Sequence, residues 1–218
     1  RSSDLDIPLV SASGEVIAVE SSARVTSYGG GPAIILFARD IRERLTLQER
    51  VAAQQSLVRA QNEQLVASIR YAQRIQRAVL PEVASLQDIV PESFILFRPR
   101  DIVSGDLHWF AERDGQLVIT AADCTGHGVP GALLSLIGAA LFEEMVITKG
   151  IRDPGAALDG VRTGMIQALS KQDGSMEQQD GMNASLVVLD RERRRASYAG
   201  GHAPLYVVRQ GTLLEFKG

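Results

Sequence analysis

The sequence has almost no cysteine and almost no net charge. Cys124 is the single cysteine among 218 residues, which excludes an internal disulfide and cysteine-rich zinc sites. One cysteine suits a reducing compartment and therefore predicts a cytoplasmic protein. The 23 basic and 26 acidic residues give a formal net charge of −3, so no strong basic field favours nucleic-acid binding.

Long hydrophobic runs are also missing. The longest, residues 132–142, is interrupted by Ser135 and Gly138, and a membrane span needs about 20 residues. The start of the chain has no signal-peptide pattern. The first residue is Arg1 rather than Met, which predicts a piece of a longer protein. With 45% apolar and 22% charged residues, the composition is that of a globular protein.

Turn residues divide the first 81 positions into two zones. In residues 1–39, turns at 13–14 and 28–32 separate alternating segments, which predicts three strands belonging to a larger sheet. Residues 40–80 contain neither glycine nor proline and predict one long helix, or two with a break. Asp40 is the expected N-cap, with Glu43 completing a capping box, and Pro81 supplies the stop.

Heptad spacing in residues 40–80 gives one apolar row and one largely polar row. The apolar row is Val51, Val58, Leu65, Ala72 and Val79. The second row is Leu47, Gln54, Gln61, Ser68 and Ile75. The pattern predicts a weak parallel coiled coil, and hence a homodimer through residues 40–80. The alternative is a helix that packs on its own domain.

Residues 82–218 contain most of the strand signals. Asp114-Gly115 predicts a two-residue hairpin turn between strands at 106–113 and 116–122. The other predicted elements are a strand at 94–97, helices at 131–148 and 154–170, a polar loop at 171–181, and strands at 184–189, 195–198, 205–209 and 212–216. This order indicates an α+β fold with antiparallel sheets flanked by helices, not a Rossmann fold.

The hairpin brings two acidic residues together. Counting outward from the turn in equal steps, Asp106 faces Asp123. Directly opposed carboxylates repel, so the pair needs a counter-ion or a shared proton. A hard divalent cation with oxygen ligands meets this need. The alternatives are a bulge that shifts the register and two solvated strand ends.

A glycine-rich segment, DCTGHGVPGA, follows at residues 123–132. It leads from a strand into a helix, and glycine allows close backbone approach there, while a helix N-terminus favours an anion such as phosphate. The alternative is a tight turn without a ligand. No arrangement that would activate the Cys124 thiol is present, so a cysteine nucleophile is not expected.

Several motifs in order carry a family resemblance. FILFRPRDIVSGD at 94–106 and ADCTGHGVPGA at 122–132 resemble the first two motifs of the PPM metal-dependent serine/threonine phosphatases, in the SpoIIE-type branch. DGM at 180–182 and AGGHAP at 199–204 are similar to later segments. SIRYAQRIQRAVLP at 68–81 resembles the helix that commonly precedes such domains. The resemblance covers residues 68–218.

The resemblance implies an αββα sandwich with a dinuclear Mn²⁺ or Mg²⁺ site. Asp106 and Asp123 would be the catalytic carboxylates that bind metal, and the Cys124 carbonyl would be a backbone ligand. Gly126 and His127 would contact the substrate phosphate. A metal-bridging water would attack a phosphoserine or phosphothreonine of a regulatory protein of the anti-sigma-factor-antagonist type.

Two departures qualify this resemblance. The family has further acidic ligands in a later Asp-Gly motif, and these 218 residues stop before one. The domain is therefore expected to be incomplete here and to have little activity alone. Asn183 also stands where many relatives carry Asp, and its consequence is open.

Residues 4–45 resemble the C-terminal half of a PAS sensor domain, through Gly14-Glu15-Val16 and the exit segment ARDIRER at 38–44. The predicted organisation is therefore a partial PAS domain at 1–39, a signalling helix at 40–81 and a truncated phosphatase domain at 82–218. The first hypothesis is a sensor-regulated phosphatase. The alternative is a catalytically inactive, dimeric signalling scaffold with a phosphatase-like fold.

Overall fold

The computed structural model describes residues 3–169 and 180–218. The chain divides into two compact units, residues 1–65 and 66–218. The boundary falls within one long helix, so the last part of that helix belongs to the second unit. The predicted polar loop at 171–181 lies almost wholly outside the described residues.

The first unit contains a three-stranded antiparallel sheet, which confirms the three predicted strands, whereas the larger sheet to which they would belong stays a prediction. Its strands are β1 (Ser3–Val10), β2 (Val16–Tyr28) and β3 (Gly31–Asp40), in the order β1-β2-β3. Gly14 and Gly29 take positive φ angles of 84° and 62° at the two turns, a conformation that glycine adopts without strain. Val19 and Ser21 are buried, whereas Ile34 and Phe37 of β3 are 72% and 62% exposed.

Helix α1 runs without a break from Arg42 to Val79, which confirms the predicted long helix. Asp40 accepts a hydrogen bond from the Arg42 backbone N–H at 3.0 Å and also binds the Arg42 guanidinium. These hydrogen bonds lower the pKa of Asp40. The Asp40 carboxylate therefore caps the helix through the Arg42 N–H, and not through Glu43 as the capping box predicts.

The second unit is built on a four-stranded antiparallel sheet in the order β4-β5-β6-β7. Its strands are β4 (Asp106–Arg113), β5 (Gln116–Cys124), β6 (Met182–Asp190) and β7 (Arg195–Gly201). Strands β8 (Leu205–Arg209) and β9 (Thr212–Phe216) pair as a separate hairpin. The helices are α2 (Val83–Ile89), α3 (Gly128–Phe142), which continues as a π-helical turn at Glu143–Thr148, and α4 (Pro154–Leu169).

The two faces of this sheet are covered unequally. Helices α3 and α4 pack on one face, where Leu107, Trp109 and Leu186 meet Phe142 and Val161. A smaller cluster on the other face contains Leu86, Phe110 and Leu117. The α+β class is confirmed. Within residues 3–169 and 180–218, β8 and β9 pair only with each other, so the full αββα sandwich stays a prediction.

The predicted strand at 94–97 is wrong, because these residues form no strand. Phe94 and Leu96 are 82% and 75% exposed, and no strand of the described residues pairs with them. The alternation of apolar residues resembles a strand, but a strand needs a hydrogen-bonded neighbour, and Pro99 removes a backbone donor close by.

One helical stretch, Gly128–Thr148, is long and apolar enough to cross a membrane by length and composition alone, with a mean hydropathy of 1.6. However, 56% of that window is buried inside the protein. Packing against the sheet therefore accounts for its apolar residues, and length and composition alone are weak evidence for a membrane span.

Phe142→Ala should destabilise the second unit strongly. The Phe142 side chain is 0% exposed and stacks on Trp109 with ring centroids 6.0 Å apart. Removing it leaves a cavity, and we expect a loss of about 3–5 kcal/mol in the free energy of unfolding by urea titration. Leu133→Ala, in the same helix but 57% exposed, is the control. Equal losses in the two variants would contradict this assignment of the core.

Candidate metal centre

Asp106 and Asp123 are directly paired across the β4–β5 hairpin, which confirms the register predicted from the sequence. Asp114 and Gly115 at the turn have φ angles of 52° and 78°. Two positive φ values are what a type I′ turn requires, and this turn fixes the register for the whole hairpin. Asp106 is the first residue of β4, so the carboxylates meet at the open end of the sheet.

The pair is electrostatically unfavourable without a counter-ion. Burial raises the pKa of Asp106, and the neighbouring Asp123 raises it further through a hydrogen bond and charge repulsion. A raised pKa means that the Asp106 carboxyl keeps its proton to a higher pH than usual, so the charged pair favours a counter-ion. The oxygen donors of both side chains fit a hard divalent ion such as Mn²⁺ or Mg²⁺.

Described residues offer no cluster of three or more His, Cys, Asp or Glu side chains that could hold a metal ion. The role of the two carboxylates as metal ligands therefore stays a prediction. The predicted backbone ligand, the Cys124 carbonyl, lies close to Gly105, since a Cβ added at Gly105 would approach it to 3.3 Å. Its role as a ligand stays a prediction.

Cys124 itself is an unreactive thiol. The residue is buried, and burial together with the charges of Asp123 and Asp106 raises the pKa of the thiol to about 12. The thiolate is the nucleophilic form of cysteine. A protonated, buried thiol at neutral pH agrees with the expectation that Cys124 is not a nucleophile.

The glycine-rich turn is held by direct backbone contacts. A Cβ at Gly131 would lie 2.7 Å from the Gly126 carbonyl oxygen, and one at Gly105 would lie 2.8 Å from the same atom. Gly126 also has a φ of 83°. These glycines bring the start of α3 against the segment before Asp106, so the turn has a structural role whether or not it binds phosphate.

Gly131→Ala should therefore destabilise the site. The added methyl group would meet backbone atoms that cannot turn aside, and we expect a loss of about 1–3 kcal/mol in the free energy of unfolding. Gly138→Ala adds the same methyl in the same helix, against the side chains of Leu107 and Met182 at 3.1 Å. Its loss should be smaller, because alanine gains helix propensity and these side chains can adjust. An equal or larger loss for Gly138→Ala in urea titrations would refute the argument.

His127 lies at the N-cap of α3, exposed to solvent, and its Nδ1 is 3.1 Å from Oδ2 of Asp101. Sequence reasoning singled out His127 but missed Asp101. The signal was present, since Asp101 lies within the RPRDIVSGD motif, but a contact across 26 positions cannot be read from spacing alone. The structure places His127 and Gly126 in the turn that follows Asp123, and their contact with a substrate phosphate stays a prediction.

Thr125 links the turn to the DGM motif. Its Oγ1 donates to Oδ1 of Asp180 at 3.2 Å and accepts from the Gly181 N–H at 3.0 Å, and its own N–H donates to the Gly181 carbonyl at 2.9 Å. Asn183, two residues later, pairs directly with Asp123 in the β5–β6 register. Sequence reasoning did not identify Thr125.

A cavity of about 880 Å³ lies beside this end of the sheet, between α4 and the start of β6. Polar side chains that line it include Asp123, Thr125, Arg162, Asp180 and His202. Its size is within the range of small-molecule and side-chain binding pockets. Asp123 thus faces a space that is accessible to a ligand.

Comparisons with known proteins agree with this geometry. Residues 113–217 match the model of a family described as Stage II sporulation protein E (SpoIIE). A solved structure, the SiaA-PP2C domain of Pseudomonas aeruginosa, is 36% identical in sequence with a TM-score of 0.66, over 73% of this chain and 62% of that one. The chain thus spans less than two thirds of that solved chain. No curated protein matches.

Neither match identifies a PAS domain or a coiled coil, so these assignments stay predictions. The matched residues include Asp123, the glycine-rich turn, and the strands that position both. PP2C domains generally use Mn²⁺ or Mg²⁺, in agreement with the oxygen donors of the carboxylate pair. The second unit is therefore similar to a PP2C-type phosphatase domain, and residues 113–217 resemble the SpoIIE family.

Proposed function

We propose that this chain is the regulatory and catalytic part of a metal-dependent serine/threonine protein phosphatase. The observation that carries the proposal is the direct pairing of Asp106 with Asp123 at the open end of a PP2C-type sheet. Burial and the facing Asp123 raise the pKa of Asp106, so a cation beside the charged pair would be stabilising.

In this proposal Asp106, Asp123 and the Cys124 carbonyl hold Mn²⁺ or Mg²⁺, two ions in the complete domain. A bound ion would lower the pKa of water and neutralise phosphoryl oxygens. The start of α3 supplies backbone N–H groups next to the pair, a favourable place for a phosphate. His127, oriented by Asp101, is positioned at this helix end to hydrogen-bond a phosphoryl oxygen.

The substrate we propose is a phosphorylated regulatory protein of the anti-sigma-factor-antagonist type. This proposal depends on the SpoIIE-type motifs and not on any contact in the structure. The accessible cavity beside Asp123 supports a substrate that presents a side chain to the sheet end.

Regulation is proposed to come through α1. Four apolar heptad residues of the first unit, Leu47, Val51, Val58 and Leu65, are 52%, 52%, 49% and 58% exposed. Val51, Val58 and Leu65 belong to the apolar row, and Leu47 belongs to the largely polar row. Exposed apolar residues at these heptad positions favour a second helix as partner, and two copies of α1 would cover them. The partial sensor at residues 1–39 would then act on the phosphatase domain through a homodimeric helix.

The test measures phosphate release from a phosphoserine peptide by the natural protein that contains these residues, with Mn²⁺ and with EDTA. We expect release that needs the metal. No release with either would instead support the inactive, dimeric scaffold.

The same assay on the 218-residue chain should give little or no release, because the residues that the structure describes offer the facing carboxylate pair but no cluster of three or more His, Cys, Asp or Glu side chains for a metal. Robust Mn²⁺-dependent release by this chain would show that the residues described here are sufficient for hydrolysis.

A further inference from the structure

The end of helix α1 presents a row of arginines to solvent. Residues 64–81 contain no aspartate or glutamate, and Arg70, Arg74 and Arg77 follow one another at spacings of four and three residues. Side chains at these spacings lie on one face of a helix. All three residues are exposed, and all three belong to the second unit. This part of the helix therefore has a positive outer face.

These three arginines have no ion pair among the residues that the structure describes. Earlier in the same helix, Arg42, Arg44 and Arg59 each pair with an acidic side chain. Arg74 instead lies over the ring of Tyr71, with its guanidinium carbon 5.0 Å from the ring centroid. Stacking of this kind leaves the N–H donors in the plane of the guanidinium group free to bind a carboxylate.

The segment that leads to the carboxylate pair adds two more arginines to this face. Gln73 of α1 donates a hydrogen bond to the Ile102 carbonyl at 2.5 Å, which holds the segment against the helix. Phe97 and Pro99, on either side of another arginine, line a cavity together with Arg77. The basic patch consists of five exposed arginines of the second unit: Arg70, Arg74, Arg77, Arg98 and Arg100.

Three acidic residues lie near the basic patch in the sequence, and two of them have partners elsewhere. Asp101 lies 3.1 Å from the His127 ring, and Glu63 pairs with Arg59 at 3.2 Å. Glu82, which lines a cavity with Arg77, forms no ion pair in the described part of the chain. The patch is therefore positive although the whole chain has a formal net charge of −3. Like charges this close repel, so an anionic partner would stabilise them.

We propose that the basic patch docks an acidic surface of the phosphoprotein substrate, outside the phosphorylated side chain itself. Ile102 precedes Asp106 by four residues, which span at most about 14 Å of chain. A protein whose phosphoserine reaches the carboxylate pair must therefore lie close to the patch. This inference rests on the proposed phosphatase function, to which it adds the charge of the partner's surface.

Two further observations favour a protein partner. The arginines of α1 lie outside both heptad rows, so the proposed homodimer would leave the patch accessible. An anionic lipid surface would repel a chain that is slightly acidic as a whole, whereas a protein partner can meet the patch alone. Complementary charge would raise the rate of encounter and select acidic substrates.

The first measurement is the anisotropy of a labelled phosphoserine peptide flanked by glutamates, titrated with the 218-residue chain in EDTA and low salt. The chain should bind it about tenfold more tightly than the same peptide with glutamine for glutamate, and added salt should remove the difference. Arg70→Glu combined with Arg74→Glu should weaken binding by about tenfold, since attraction becomes repulsion. The control, Arg50→Glu with Arg59→Glu, makes the same charge change on the same helix and should bind as the wild type does.

The second measurement is hydrolysis of both peptides by the natural protein with Mn²⁺. The patch variant, Arg70→Glu with Arg74→Glu, should raise KM for the glutamate peptide by about tenfold and leave kcat unchanged, because the patch does not touch the reacting atoms. Hydrolysis of the glutamine peptide and of p-nitrophenyl phosphate should be the same in the patch variant and the wild type.

The outcomes separate this inference from the proposed function. If the natural protein hydrolyses neither peptide, the function fails, and the anisotropy in EDTA alone decides whether the patch binds an acidic protein surface. If the wild type does not prefer the glutamate peptide, or the patch variant binds it as the control does, the inference is overturned and the function stands.

A membrane surface would give a different result. Sedimentation of the chain with phosphatidylserine vesicles, lost in the patch variant and without preference for the glutamate peptide, would show that the patch meets lipid and would overturn the proposal. If Arg70→Glu with Arg74→Glu loses its circular dichroism spectrum, Arg98→Glu with Arg100→Glu, which lies outside the helix, decides by the same criteria.

Discussion

Asp106→Asn and Asp123→Asn should each remove most Mn²⁺-dependent phosphatase activity from the natural protein that contains this chain. Each carboxylate is one half of the facing pair, and an amide offers one neutral oxygen where the cation needs a charged ligand. Loss of a direct ligand should exceed the roughly 100-fold upper range for residues that only orient ligands. Phosphate release from a phosphoserine peptide is the measurement.

The matched control is Asp114→Asn, at the opposite end of the same hairpin. Asp114 has a φ of 52° and forms an exposed ion pair with Arg152 at 2.6 Å. Asparagine is favoured at this position of a type I′ turn, so the fold should tolerate the change. Undiminished activity in both Asp106→Asn and Asp123→Asn would show that the pair is not the metal centre.

Asp106→Asn should also change the free energy of unfolding of the metal-free chain, and the raised pKa of Asp106 sets the direction of that change. Because the pKa of Asp106 is raised in the folded chain, the folded state binds a proton more tightly than the unfolded state does. The metal-free wild type therefore loses stability as pH rises from the ordinary aspartate pKa through the raised value, and no further loss follows above it.

Asparagine removes this titration, so in EDTA at neutral pH Asp106→Asn should melt at a higher temperature than the wild type. Mn²⁺ should reverse the order, since a ligand stabilises only the form that binds it. Thermal melts at acid and neutral pH, with EDTA and with Mn²⁺, measure both effects. A variant less stable than the wild type in EDTA at neutral pH would contradict the electrostatic argument.

Local chemistry made the pairing of the two candidate metal ligands predictable. The Asp114-Gly115 turn fixes the hairpin register, and with it the pairing of Asp106 with Asp123 eight steps away. The absence of glycine and proline likewise predicted a helix over residues 40–80, as one helix or as two with a break, and the structure has one. In both cases the information lies within a single turn or a single periodic segment, so no long-range contact had to be known.

The contacts that complete the site could not be predicted in this way. Thr125 meets Asp180 across 55 positions, and Gln76 meets Ser135 across 59. Such pairs depend on how separate elements pack, and a polar residue on an amphipathic helix gives no local sign of burial. The wrong prediction of a strand at 94–97 has the same cause, because alternating apolar residues do not show whether a neighbouring strand is available to pair.

Gln54→Leu combined with Gln61→Leu should tighten a parallel homodimer of the chain by more than about tenfold. Both glutamines lie on the polar heptad row and are exposed in the single chain, next to the apolar residues Val51 and Val58. Leucine at these positions would bury apolar surface in the dimer. Sedimentation velocity at micromolar concentration should show a weak dimer for the wild type and a stable one for the variant.

The same change should hold phosphatase activity in one state that no longer responds to the upstream signal. Polar seam positions allow helix registers that differ little in free energy, which is what a two-state element needs, and leucine would select one register.

The control, Ser56→Leu with Glu63→Leu, adds leucine to the outer face of the heptad, where Glu63 pairs with the exposed Arg59 at 3.2 Å. It should alter neither dimerisation nor signal response. A wild type that is monomeric at micromolar concentration, or a Gln54→Leu, Gln61→Leu protein that still responds normally, would remove this helix from the regulatory mechanism.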